Sequence, residues 1–202
     1  MTRSRSVIGF LAAGFVVLAA PWARAQMVGL PVMDTAEGRE QGSLEATPGV
    51  AFGRDMNFIG GRATVTAMDD LRAFVDLGLS DPKDSGSGLG LQAGALYCLP
   101  KSDMAEWGVR GAVYYANTDR LDLLGTDVML VFSGETVLDS LYCYGGGGLD
   151  FCDKTKPGGS GSYELNPALS LGLSYFFTEN YSLFTEADFV DGLYFGIGLS
   201  IR

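Results

Sequence analysis

Histidine is absent from this chain of 202 residues. The common serine hydrolases use a histidine as general base, so their serine–histidine arrangement is excluded. Glu186 and Asp188, two residues apart, could in principle perform acid–base chemistry, but buried structural ion networks use such carboxylates as readily as active sites do. We therefore predict a protein that is not an enzyme, with no catalytic residue, no cofactor and no metal.

Long apolar runs are also scarce, and the longest is confined to the amino terminus. Val7 to Ala20 is an apolar or small stretch of 14 residues that follows Arg3 and Arg5. It is shorter than the roughly 20 residues of a membrane helix, and Ala23-Arg24-Ala25 reads as a cleavage site. We predict a signal peptide over residues 1–25, with an uncleaved anchor as the alternative.

Basic residues are few, at 14 Lys and Arg against 24 Asp and Glu. Nucleic acids are bound by basic surfaces, so no nucleic-acid partner is expected. All four lysines fall in predicted turns or loops: Lys83, Lys101, Lys154 and Lys156.

Alternation with a period of two runs through most of the chain after about residue 44. In Leu193 to Arg202, for example, large apolar side chains alternate with Gly, Ser and Tyr. Such segments of about ten residues, separated by turns, are typical of transmembrane β-barrels. The pattern predicts an all-β antiparallel up-and-down barrel of ten strands, with eight as the alternative: 45–54, 61–68, 71–80, 87–98, 106–117, 121–133, 138–152, 163–177, 181–190 and 193–202.

The domain organisation predicted from this pattern has three parts. They are a signal peptide over 1–25, a flexible periplasmic leader over 26–43 and an outer-membrane barrel over 44–202. The leader is polar, rich in turn-forming residues and without periodicity.

Three features favour a membrane barrel over a soluble one. The strands lack lysine, which solvated strands normally carry. The polar face is rich in glycine, which suits the crowded interior of a narrow barrel. Aromatic residues gather at the strand ends predicted to face the periplasm: Tyr97, Trp107, Tyr175, Phe177 and Tyr181. The expected location is the outer membrane of the Gram-negative cell envelope, and the expected partners are its lipids, lipopolysaccharide and the barrel-assembly machinery, with the oligomeric state left open.

Charged side chains on the polar face should point into the barrel. Because an unpaired charge in a dry interior is costly, we predict an ion-pair network that fills the lumen and leaves little room for diffusion. Its seven residues are Arg62, Arg72, Asp76, Arg110, Asp127, Glu186 and Asp188.

Several segments resemble opacity-type porins and related small outer-membrane barrels. They are Asn166 to Tyr175, Glu179 to Ala187, Gly192 to Leu199 and the aromatic and glycine-rich Tyr142 to Leu149. The resemblance implies an outer-membrane location and roles in surface integrity, adhesion or small-solute passage, and it carries over no catalytic residue. The aromatic carboxyl terminus that such proteins usually have is replaced by Ser200-Ile201-Arg202.

Three functions remain open on this evidence. The first is a non-enzymatic outer-membrane barrel with a structural or surface-interaction role. The second is a narrow, porin-like channel for small solutes, and the third is a soluble periplasmic lipid- or ligand-binding barrel.

The three cysteines are Cys98, Cys143 and Cys152. On one continuous strand Cys143 and Cys152 would be about 30 Å apart, well beyond the roughly 7 Å between Cα atoms that a disulfide allows. Either Gly145 to Gly148 break the strand and permit a bridge, or the thiols are free.

Overall fold

The fold is a closed barrel of ten strands. The computed structural model describes residues 28–32, 34–37, 39–53, 56–82, 86–100, 105–119, 121–138, 140–155, 161–190 and 192–202. The predicted signal peptide, residues 1–25, lies outside this described part. The strands are β1 (Leu44–Gly53), β2 (Met56–Met68), β3 (Leu71–Pro82), β4 (Gly88–Cys98), β5 (Glu106–Asn117), β6 (Asp122–Glu135), β7 (Leu141–Thr155), β8 (Ser162–Thr178), β9 (Tyr181–Val190) and β10 (Leu193–Ile201).

Every strand pairs antiparallel with the next along the chain, and β1 pairs with β10 to close the sheet. Closure leaves no strand edge unpaired, which is what a barrel in lipid requires. The prediction of ten antiparallel strands in an up-and-down barrel is thereby confirmed. We call the end that holds the β2–β3 turn at Asp69-Asp70 and the start of β1 the turn end, and the opposite end the loop end.

The second strand is longer than the sequence indicated. It begins at Met56, and Ile59 is paired with both Val50 and Leu79, so the prediction that this strand begins at residue 61 is wrong. Gly60 falls just before the predicted strand, but a Cβ on Gly60 would lie 2.7 Å from the Gly78 backbone. The glycine therefore serves close strand approach.

Side chains alternate regularly between the two faces. The outward face is apolar, and its middle holds residues such as Leu77, which is 56% exposed. Exposed aromatic side chains gather near both ends of the barrel. At the turn end they are Tyr97, Trp107, Tyr175, Phe177 and Tyr181, and at the loop end they are Phe52, Tyr115, Phe151, Tyr163 and Phe195.

One aromatic residue from each group lies on β5. Trp107 and Tyr115 are eight positions apart, about 26 Å along a strand that rises about 3.3 Å per residue and about 20 Å along the barrel axis at a tilt of about 40°. Two aromatic girdles with an apolar band between them are typical of transmembrane barrels. The sequence pattern predicted the turn-end group alone.

The amino-terminal segment differs from the flexible periplasmic leader that the sequence predicted. Residues 28–32 and 34–37, which we call the lumen segment, run inside the barrel. Ala36 bonds to Ser133 near the turn end, and Val28 packs with Met56 and Tyr194 near the loop end. The segment is buried because it supplies apolar side chains and backbone groups that the lumen wall binds.

No helix in the described part of the chain has the length and apolarity needed to cross a membrane.

Candidate functional site

The centre of the lumen is built on one ion pair. Arg62 of β2 and Asp76 of β3 are direct neighbours in the β2–β3 register. The Arg62 Nε lies 2.7 Å from Asp76 Oδ1, and its Nη2 lies 2.8 Å from Oδ2. This two-point contact is the strong form of an arginine–carboxylate pair. The Phe74 ring lies against the same guanidinium, at 4.4 Å from Cζ to the ring centroid.

A second pair, Arg110 with Asp127, lies beside the first. The Arg110 guanidinium contacts the Phe74 ring at 4.9 Å, so one aromatic ring lies near two cations. The side-chain amide of Gln92 joins the two pairs. In its satisfied orientation it donates to Asp76 at 2.8 Å and accepts from Arg110 at 3.3 Å.

The turn end of the lumen holds a longer chain of charges. Asp34 of the lumen segment accepts from Arg72 at 2.7 Å and from Arg39 at 2.9 Å. Arg39 also pairs with Glu45, which lies 3.2 Å from the Nε of Arg202. The chain of contacts therefore ties the lumen segment to β1, to β3 and to the residue that follows β10.

Main-chain atoms of the lumen segment are bound directly by wall side chains. Arg62 donates to the carbonyls of Val32 at 2.5 Å and Leu30 at 2.8 Å. The amide of Leu30 donates to Asp76 at 2.9 Å, and that of Val32 donates to Glu186 at 3.1 Å. At both residues the wall therefore satisfies the amide and the carbonyl.

Tyrosine hydroxyls bind two further wall carboxylates. Tyr144 donates to Glu186 at 3.0 Å, and Tyr114 donates to Asp150 at 2.8 Å. Asp188 lies beside Glu186 on the inward face of β9 and is 3% exposed. No group of three or more Cys, Asp or Glu in the described residues is arranged to hold a metal ion.

All seven residues of the predicted lumen network are buried, each at 7% exposure or less. Arg62 pairs with Asp76 and Arg110 with Asp127, whereas Arg72 pairs with Asp34. Asp34 was missed because it lies in a segment without periodicity. Other buried polar residues of the wall that the sequence analysis missed include Gln92, Tyr114, Tyr144 and Asp150. Their positions on the inward-facing side of the predicted strands were the available signal.

Little space remains inside. A cavity of about 30 Å³ lies between the lumen segment and the wall, bordered by residues that include Val28, Arg110, Tyr114, Asp150 and Asp188. That volume suits about one or two water molecules. Apolar packing fills the neighbouring region, where Leu30 and Val32 join Phe58, Met129 and Phe184 in one buried cluster.

The three cysteines are free thiols. β7 continues through Gly145 to Gly148 without a break, and Cys143 and Cys152 point to opposite faces because nine positions separate them. The glycines therefore do not produce the bend that a Cys143–Cys152 bridge would need.

No family model matches the sequence, and no curated protein matches it. Among solved structures, the chain is similar to the amino-terminal β-barrel domain of Pseudomonas aeruginosa OprF, with 16% identity, 80% of this chain and 97% of that one covered, and a TM-score of 0.39. It is also similar to Neisserial surface protein A, at 14% identity with 79% and 96% covered and a TM-score of 0.41. It is similar to the KdgM porin as well, at 10% identity with 78% of this chain and 98% of that one covered and a TM-score of 0.40. Similarity of this degree transfers no function.

The Asp34 carboxyl is held in its charged form. Burial raises its pKa, but the guanidinium groups of Arg72, Arg39 and Arg62 lower it by more, so the pKa of Asp34 lies below its ordinary value. Such a carboxylate stabilises the fold above its ordinary pKa, and that contribution is lost as the pH falls through the lowered value.

We expect Asp34→Asn to lower the free energy of unfolding at pH 7 by about 3 kcal/mol, since it removes one partner of a buried ion pair. The difference between the two proteins should shrink progressively as the pH falls below about 4, because the Asp34 carboxyl is then protonated first in the unfolded chain and, at lower pH, in the folded protein. Urea unfolding of protein refolded into lipid vesicles measures both effects.

Glu164→Gln is the matched control, because Glu164 is about one-third exposed in its pair with Lys154, and this pair should contribute less than the buried pair of Asp34, about 1 kcal/mol. Equal unfolding free energies for the wild type and Asp34→Asn at pH 7 would contradict the assignment. So would a difference that stays constant with pH.

Proposed function

We propose that this protein is a non-enzymatic outer-membrane β-barrel whose lumen is closed and whose role is structural or one of surface interaction. The observation that carries the proposal is the inverted distribution of polarity: charged residues lie inside the barrel and large apolar residues cover the outside. That the protein belongs to the opacity-type porin group remains a prediction.

The outward face is too apolar for water. In the described residues, 34 large apolar side chains are exposed, whereas a soluble monomer rarely exposes a continuous apolar patch larger than a few hundred Å². An outer face with an aliphatic middle and aromatic groups at both ends is typical of a barrel in lipid. These features support outer-membrane lipids and lipopolysaccharide as partners, with the assembly machinery as an expected third.

The soluble periplasmic alternative is disfavoured by the same surface. A soluble ligand-binding barrel would place its apolar face inside, around the ligand. Here the inside holds Arg62, Asp76 and Glu186, and the lumen segment occupies the place where a ligand would bind.

The filled lumen also disfavours an open channel and a catalytic centre. A cavity for one or two water molecules is too small for a solute to pass beside the lumen segment. Glu186 and Asp188 are 4% and 3% exposed, and Glu186 is bound by Tyr144 and by the Val32 amide. These two carboxylates therefore offer a substrate no access while the segment is in place.

A charge on the outward face separates a membrane barrel from a soluble one. Leu77 lies near mid-height of β3, so we expect Leu77→Arg to lower the free energy of unfolding in vesicles by about 2–4 kcal/mol. The measurement is urea unfolding at a fixed lipid-to-protein ratio. Val137→Arg, in the exposed turn after β6, is the control and should change the value by less than about 0.5 kcal/mol. A neutral Leu77→Arg would contradict the membrane placement.

Fractionation and conductance test the proposal as a whole. The full chain should remain with outer membranes after carbonate washing, should migrate faster on gels when unheated, and should give planar bilayers no steady conductance. Recovery in the soluble periplasmic fraction would support the soluble alternative. A steady conductance from the unmodified chain would support the channel.

A further inference from the structure

The barrel wall binds the lumen segment largely through hydrogen bonds to its main-chain atoms. Besides the contacts at Leu30 and Val32, Arg72 donates to the carbonyl of Thr35, and the amide of Ala36 donates to Ser133 at 2.9 Å. Wall side chains thus bind six main-chain atoms within seven residues. Side chains that pair with both the N–H and the C=O of a peptide do what a neighbouring strand does when a peptide adds to a sheet edge.

The segment also has side-chain requirements at four positions. Gly29 adopts φ +95°, and a Cβ there would lie 2.6 Å from the terminal amide group of Gln92 and 2.9 Å from Asp76 Oδ2. A larger residue would therefore be strained in its backbone as well as crowded. Leu30 and Val32 are buried in the apolar cluster, and Asp34 pairs with Arg72.

Removing the segment would change the wall from a satisfied surface to an unsatisfied one. Arg62 would lose two carbonyl acceptors, Arg72 would lose Asp34, and Asp76 and Glu186 would each lose an amide donor. Groups of this kind bind water when nothing else is present, so the vacated space would be wet. The buried charged residues of the described strands are six carboxylates, Glu45, Asp76, Asp127, Asp150, Glu186 and Asp188, and three guanidiniums, Arg62, Arg72 and Arg110.

We propose that the lumen wall is a binding site for one extended peptide, that the lumen segment is its resident occupant, and that release of the segment opens a narrow cation-selective passage. The proposal rests on the membrane placement proposed above. It adds a ligand class: an extended peptide with glycine at the Gly29 position, apolar residues at the Leu30 and Val32 positions, and an acidic residue at the Asp34 position.

The test uses the full chain carrying Gly29→Val, which places a branched side chain where no Cβ fits. In planar bilayers with a KCl gradient, the wild type should be silent. The variant should be open at least ten times as often, and its reversal potential should be shifted from zero toward the equilibrium potential of K⁺. Gly134→Val is the matched control, because a Cβ at Gly134 has no heavy atom within 4 Å, and this variant should be as silent as the wild type.

Rescue by free peptide tests the binding site itself. A synthetic peptide with the sequence of residues 28–37 should close the Gly29→Val protein, because the tethered segment of that variant no longer fits. The same peptide carrying Gly29→Val should leave the conductance unchanged. Closure by both peptides alike, or by neither, would overturn the proposal that the wall selects this peptide class.

The outcomes keep this proposal separate from the membrane placement. A Gly29→Val protein that still shows the heat-dependent gel shift but stays silent would overturn the peptide site and leave the outer-membrane barrel intact. If that variant fails to fold, amide hydrogen exchange of the unmodified chain decides. The Leu30 and Val32 amides should exchange as slowly as those in the middle of β3, whereas exchange as fast as that of an exposed loop would overturn the proposal.

Discussion

The guanidinium of Arg62 carries out two tasks on which the rest of the lumen depends. It pairs with Asp76 through two contacts, and it donates to the carbonyls of Leu30 and Val32. A buried arginine is tolerated when acceptors surround it, and otherwise it is costly. The β2–β3 hairpin supplies one set of acceptors and the amino-terminal segment supplies the other, so the closed barrel wall and its contents are stabilised by the same side chain.

This arrangement addresses a general difficulty of small barrels that face lipid. The outer face must be apolar, so the polar half of every strand points inward. A barrel of ten strands encloses more space than the inward-pointing side chains fill. Empty polar space either binds water or leaves polar groups without hydrogen-bond partners. The lumen segment fills this space with Leu30 and Val32 where the wall is apolar, and with Asp34 where the wall presents Arg72.

The barrel was predictable because its determinants are local. In a strand with one buried face, a shift of register by one residue would move every apolar side chain to the wrong side, so period-two alternation constrains the fold strongly. The pairing of Arg62 with Asp76 was less predictable, because the Met68–Leu71 pair at the turn would by itself place Arg62 opposite Leu77. A β-bulge between Thr66 and Met68 shifts the register by one residue and brings Arg62 opposite Asp76. The start of β2 was predicted too late along the chain, because a glycine such as Gly60 can mark close strand contact as well as a turn.

The contents of the lumen were not predictable in the same way. The lumen segment, residues 28–32 and 34–37, is surrounded by the barrel wall, so neither a two-residue nor a helical repeat of polarity is required of it. Its Gly29 and Pro31 look like turn residues. The partner of Arg72 was missed for this reason: Asp34 lies 38 positions away along the chain, in a segment whose path depends on the completed barrel. A short polar leader ahead of a small barrel can therefore be part of the interior.

Solution NMR of the full chain in detergent micelles tests the central claim, which is that the amino-terminal segment occupies the lumen. Selective labelling of leucine and valine methyl groups should give nuclear Overhauser contacts from Leu30 and Val32 to the buried cluster that includes Phe58, Met129 and Phe184. Methyl signals from Leu30 and Val32 that show no such contact, and that contact only water or detergent, would contradict it.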